Sequence, residues 1–182
     1  MKHPDPRGAL KAYAALVRKW APTTDLIDPG DLDRFESRHV DDALRLAPLV
    51  ESLPDGPAVD VGSGVGIPGV PLAIVCPGRL WRLLEPRRKR AAFLDEVVRE
   101  LDLNCEVLTV TAEQAAKRSD LAASHVVAAA RALAPPVQAF ELLLPLIRDD
   151  GVAAVMVGDD ASLPPETREW ARGIATMRPR VG

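Results

Sequence analysis

Residues 58–73 read AVDVGSGVGIPGVPLA, with glycines at 62, 64, 66 and 69 following a short apolar run that contains Asp60. Glycine reaches backbone conformations that other residues avoid, and it leaves no side chain between the backbone and whatever approaches it. A strand-to-helix turn of this composition is suited to a nucleotide-like ligand lying directly on the main chain. Its spacing fits two templates. Gly62, Gly64 and Gly66 form GxGxG, while Gly64, Gly66 and Gly69 satisfy the dinucleotide pattern GxGxxG.

Glu85 follows the next apolar run, "LWRLL". It stands about 20 residues past the turn, where a dinucleotide site carries the carboxylate that binds ribose. An S-adenosylmethionine site uses an acid at the same place, so Glu85 is assigned to a ribose under either template. Asp60 separates them better. A carboxylate buried before the turn is costly unless paired or hydrogen-bonded, and a pyrophosphate beside it would be repelled. The ammonium of S-adenosylmethionine would be attracted, which favours that cofactor; accepting N–H groups of the turn itself is the other role open to Asp60.

Other charged residues stand out by position. Arg131 ends the apolar stretch "HVVAAA", where a charge is rarely buried without a partner. Arg87, Arg88, Lys89 and Arg90 open a helical segment and can meet phosphates. Arg38 and His39 lie in "SRHVDDAL", placed either to touch a polyanion or to pack. Cys76 and Cys105 have no metal-like spacing and are read as reduced, and the three histidines are scattered, so no metal site is expected.

The elements that must position these groups follow from periodicity. "GALKAYAALVRKW" places Leu10, Tyr13, Ala14, Val17 and Trp20 on one helical face, and a second helix is expected from an Asp31 cap through residue 50. From Pro57 onward, strands ("AVDV", "LWRLLE", "CEVLTV", "HVVAAA", "GVAAVMV") alternate with helices. That alternation specifies an α/β fold with a doubly wound, mostly parallel sheet, whose ligands lie at the carboxyl ends of the strands. A single domain over 1–182 is expected, with 1–55 an N-terminal helical segment and 56–182 the cofactor-binding core. The 182 residues are 47% hydrophobic and 27% charged, with no apolar run near the length of a membrane span and no apolar signal core. A cytoplasmic protein without a membrane partner is expected. Net charge is −3, yet residues 1–22 and 76–100 are locally basic, which suits an anionic partner.

Taken together, "DVGSGVGIPGVPLAI", "LLEPRRKRAAFL", "TAEQ" and "RALAP", with Trp20 and "RHVDDAL", resemble the bacterial 16S ribosomal RNA guanine-N(7)-methyltransferase family, also called glucose-inhibited division protein B. The resemblance spans about Trp20 to Gly158. It implies a class I, Rossmann-like methyltransferase carrying a methyl from S-adenosylmethionine to a guanine of 16S rRNA in the small ribosomal subunit. Carried over by position, Gly62 and Ile67 would line the cofactor pocket, Ala112 and Glu113 would flank the adenine, and Arg131 would bridge cofactor and substrate as the catalytic residue. Glu113 is equally placed to cap its own helix. The Lys89–Arg90 pair belongs to the family pattern, but Val157 stands where the family has a lysine. The segment after the fifth strand is short, so a helix and one strand are expected there in place of a full C-terminal hairpin. A shortened relative acting on a small molecule and a non-catalytic cofactor-binding module are the alternatives.

Overall fold

The computed structural model describes residues 5–158 and 161–179. Its centre is β1 (Ala58–Val61), buried at all four positions, with parallel neighbours β2 (Trp81–Leu84) on one side and β4 (His125–Arg131) on the other. β3 (Cys105–Leu108) extends the sheet beyond β2, and β5 (Ile147–Met156) extends it beyond β4. The antiparallel pair β6 (Arg168–Ala171) and β7 (Ile174–Met177) completes the order β3-β2-β1-β4-β5-β7-β6. Strand order reverses between β1 and β4, the place where an open α/β sheet leaves a crevice at its carboxyl edge.

Central strands buried on both faces need continuous apolar sequence, and "HVVAAA" in β4 supplies it. One face carries α1 (Pro6–Trp20), α4 (Gly69–Val75) and α5 (Arg88–Glu100) over a core containing Tyr13, Phe35, Ile74, Leu83 and Phe93. α7 (Pro136–Leu143) and α6 (Ala112–Ala115) cover a second cluster with Phe140 and Leu143. The N-terminal helices share the first of these cores. Of the apolar face expected on α1, Tyr13, Ala14 and Val17 are fully buried, while Leu10 and Trp20 pack at its edge.

Three expectations are corrected. Residues 31–50 do not make one helix. A 3-10 turn (Pro29–Arg34) and a π turn (Glu36–Val40) precede α2 (Asp41–Leu44), and α3 (Ala47–Ser52) follows separately. Pro29 and Pro48 each open a new segment because a proline cannot continue a helical hydrogen-bond ladder. Asp28 caps the first turn through Gly30 N–H at 2.8 Å, which leaves the Asp31 carboxylate for side-chain partners. The third correction is at the C-terminus: the hairpin is present, turning at Gly173 (φ 74°), and residues 168–171 form β6 where a helix was expected. β7 pairs with β5 and β6 with β7, which supplies hydrogen bonds that a short isolated helix after two prolines would lack.

Candidate active site

Gly62, Gly64 and Gly66 have φ of 70°, 56° and 100°, the left-handed region in which only glycine is unstrained. Their turn is fastened to the sheet and to itself. Gly62 and Ser63 N–H both donate to Leu84 O, and Gly66 N–H donates to Ser63 O at 2.6 Å. From the N-terminal helix, the buried Tyr13 hydroxyl donates to Val65 O at 2.6 Å. Sequence reasoning placed Tyr13 only on an apolar stripe; the signal available was that a buried phenol needs a hydrogen-bond partner.

Glu85, 3% exposed, closes the far side of the turn. Its Oε2 accepts Gly64 N–H at 2.9 Å and its Oε1 accepts Arg87 N–H at 2.8 Å. Each carboxylate oxygen has a second acceptor direction, so the group remains able to receive two hydroxyls. It opens on a cavity of about 280 Å³ whose walls include Gly62, Glu85, Ala112, Glu113 and Leu133. Among the cofactor-site expectations, Gly62, Glu85, Ala112 and Glu113 therefore come together. Gly64 and Gly66 shape the turn, and Ile67 is packed into the core. The cap of α6 is a reciprocal Thr111–Gln114 box, so Glu113 is not the capping residue. Hydrogen bonding with Thr111 holds the exposed Glu113 carboxyl below its usual range.

Asp60 does not line this cavity. The alternating pleat turns its side chain toward α4, where Oδ2 accepts Gly69 N–H at 3.0 Å and Oδ1 is buried without a hydrogen-bond partner among the described residues. A Cβ on residue 69 would lie 2.7 Å from Asp60 Oδ2 and 2.5 Å from Leu83, so this contact requires glycine. Of the two roles read from the sequence for Asp60, which are compatible with each other, the structure shows one, an acceptor for the turn's own backbone. Burial, with a smaller contribution from the Glu85 charge, raises its pKa to about 7 despite the Gly69 hydrogen bond. The native value lies above the unfolded one. Its stabilising effect is therefore full at low pH and is lost as pH rises from about 4 through about 7. Asp60→Asn should gain stability relative to the parent by about 3 kcal/mol between pH 5 and pH 8. Urea unfolding at the two pH values measures this, and a pH-independent difference would count against it.

A second cavity, about 410 Å³, lies at the ends of β4 and β5, walled by Asp42, Arg131, Ala132, Pro136, Met156 and Val157 among others. The two cavities share Ala132. Ala132 has φ 50°, a conformation an alanine takes only when its surroundings impose it. Arg131 Nη1 donates to His39 Nδ1 at 2.5 Å. A guanidinium has no acceptor, so His39 must be protonated at Nε2, which lies 3.4 Å from Asp31 Oδ2. Burial, reinforced by the Arg131 charge, lowers the His39 pKa and keeps the ring neutral. Asp31 also takes Arg38 Nη1 at 2.5 Å. The π turn thus turns His39 inward to aim Arg131 and leaves Arg38 outside.

The basic group divides similarly. Arg88 and Lys89 are exposed at the start of α5 and line neither cavity, while Arg87, also exposed, lines the first cavity together with Arg90, which pairs with Asp25 at 3.3 Å. Cys76 and Cys105 are free thiols raised by burial, and no metal-ligating cluster occurs among the described residues.

Sheet order, a glycine turn after the first strand and a buried carboxylate after the second that fastens this turn define a class I methyltransferase, the class that uses S-adenosylmethionine as methyl donor. Solved structures agree at the level of the fold. A Corynebacterium glutamicum protein matches with TM-score 0.62 and 12% identity, over 92% of this chain and 89% of that one. A mutant of MtNAS in complex with S-adenosylmethionine matches with TM-score 0.59 and 14% identity, over 93% and 70%. The family described as rRNA small subunit methyltransferase G (GidB) matches residues 7–171. Ribosomal RNA small subunit methyltransferase G of Granulibacter bethesdensis is 38% identical over 88% of this chain and 73% of its own, and that of Acidiphilium cryptum is 39% identical over the same shares. The chain belongs to the rRNA small subunit methyltransferase G family. No helix among the described residues is long and apolar enough to cross a membrane.

Proposed function

We propose that the protein methylates the 7-nitrogen of a guanine in 16S rRNA in the cytoplasm, with S-adenosylmethionine in the Glu85 cavity and the base in the Arg131 cavity. The observation that carries this reading is that the two cavities meet at Ala132, so that donor and acceptor can approach in line. Glu85 receives the two ribose hydroxyls, the Gly62 turn admits the donor's backbone-facing side, and Ala112 and Glu113 flank the adenine. When bound, the donor supplies a methyl on a positively charged sulfur. The guanine N7 lone pair forms the new N–C bond, the C–S electron pair stays on sulfur, and the positive charge passes to the purine. N7 carries no proton, so this chain's task is orientation and placement of charge, an effect worth up to about 7–11 kcal/mol in favourable cases. Arg131, held by His39, donates to the guanine oxygen beside N7.

The start of α5 supports an RNA acceptor. Cations oppose the positive end of a helix dipole, each at about 0.3–1 kcal/mol. Yet Arg87, Arg88, Lys89 and Arg90 stand there with no acid in the first turn. The arrangement is repaid when a phosphate occupies the helix N-terminus. Replacing Arg88 and Lys89, which line neither cavity, together by glutamine should weaken RNA binding and make its dependence on log salt shallower by about 1.5. S-adenosylmethionine affinity should be unaffected. Filter binding across a salt series reads the first effect and calorimetry the second.

Transfer of labelled methyl to small subunits lacking the mark, followed by mapping of the modified nucleotide, tests the whole reading. Label appearing in a small molecule while the subunits stay unlabelled would overturn it.

A further inference from the structure

We propose that Asp42 is a specificity-determining residue, which together with Arg131 makes the second cavity select guanine over adenine. The inference rests on the guanine reading above.

The Asp42 carboxylate is held from behind. Its Oδ1 accepts Arg45 Nη1 at 2.9 Å, and Arg45 is itself fixed by donating through Nη2 to Arg172 O beside the β6–β7 turn. Its Oδ2 lies 3.9 Å from Arg131 Nη2, too far for a hydrogen bond. An anchored acceptor and an anchored donor therefore stand side by side on the wall of one cavity of about 410 Å³. Both side chains are partly exposed, 32% for Asp42 and 22% for Arg131.

Guanine matches this pair. Its O6, next to N7, is an acceptor, and the N1–H and N2–H₂ groups that follow along the edge are donors. With O6 on Arg131, N1–H and N2–H₂ face Asp42 Oδ2. Adenine presents the opposite order, an amino donor beside N7 followed by an N1 acceptor, so it would set donor against Arg131 and acceptor against the carboxylate. Sites built to pair polar groups discriminate strongly because the wrong ligand leaves them unpaired. The carboxylate also acts on the transfer step. Positive charge moves from sulfur onto the purine, N1–H and N2–H₂ become stronger donors, and a hydrogen bond to Asp42 tightens as the reaction proceeds.

The test pairs a base change with a residue change, using unmethylated small subunits reconstituted with 16S RNA that bears guanine or inosine at the acceptor position. Inosine keeps N7, O6 and N1–H and lacks the 2-amino group. With the parent protein, kcat/KM should fall about tenfold on inosine. Asp42→Ala should lose about a hundredfold on guanine and show no further loss on inosine. Asp42→Asn repeats the comparison in a chain that can keep the Arg45 contact through its amide oxygen. Wild-type S-adenosylmethionine affinity in each variant establishes that the fold and the first cavity are intact. An equal inosine penalty in parent and variants would overturn the proposal, because a residue supporting only the fold would lower both substrates alike. Failure of the underlying reading has a different signature, namely no methyl on guanine-bearing subunits from the parent protein at saturating donor.

Discussion

Glu85→Gln should raise the dissociation constant for S-adenosylmethionine by roughly 10²–10³-fold, equivalent to about 3–4 kcal/mol. The carboxylate already accepts two backbone N–H groups, Gly64 at 2.9 Å and Arg87 at 2.8 Å, and it is to receive two ribose hydroxyls as well. Glutamine keeps one oxygen and turns the other position into an N–H₂ donor. That donor must face either Gly64 N–H or Arg87 N–H, so the variant loses ligand hydrogen bonds and also loosens the turn. Calorimetry with the donor alone reads the effect without any RNA. A dissociation constant within threefold of the parent would falsify the assignment of Glu85 to the ribose. Glu85→Asp keeps the charge but shortens the reach, and should fall between the two.

Arg131→Ala should lower methyl transfer by about 10²–10³-fold in kcat, the range seen when one preorganised donor is removed from a transition state. Arg131 is the last residue of β4, two-tenths exposed, and fixed in direction by the His39 hydrogen bond. Arg131→Lys should recover little, because a lysine ammonium cannot hold His39 and reach the base with the planar fork of a guanidinium. Single-turnover transfer to saturating small subunits separates this from weakened binding. An unchanged single-turnover rate, with the whole loss in KM, would place Arg131 in docking instead. His39→Ala should reproduce part of the loss through misdirection of Arg131. Because His39 is neutral in its resting state, no loss of a charge contributes to that effect.

Much of the core and part of the site were legible because their signals are local. A glycine pattern needs only consecutive residues to state that a turn with positive φ is present, and Gly62, Gly64 and Gly66 have it. Glu85 was legible because a strand of ordinary length sets the offset between the turn and the next strand end. The apolar run that became β4 is continuous because both of its faces are covered, whereas β1 and β2 each carry one charged residue, Asp60 and Arg82. The N-terminal segment was misread where regular periodicity yielded to proline and to competing side-chain bonds, so one expected helix became a 3-10 turn, a π turn and two short helices. The hairpin was missed because β7 is held by pairing with β5, a contact that has no local signature, and β6 in turn by pairing with β7.

Asp60 shows the same division within one residue. Its type and its place after an apolar run indicated a buried carboxylate needing a partner, and that need is physical and local. Whether the partner was a ligand cation or the Gly69 N–H depended on which side of the sheet the third residue of β1 presents, and on how closely α4 crosses it. By itself the sequence determined the alternating architecture, the glycine turn and the place of the Glu85 carboxylate beside that turn, since each follows from neighbouring residues and from element length. Only the tertiary structure brought Tyr13 to Val65, His39 and Asp42 to Arg131, and the two cavities to a common wall at Ala132. Those side-chain meetings join residues 52 to 92 positions apart, and their geometry is set by how the N-terminal helices pack across the sheet.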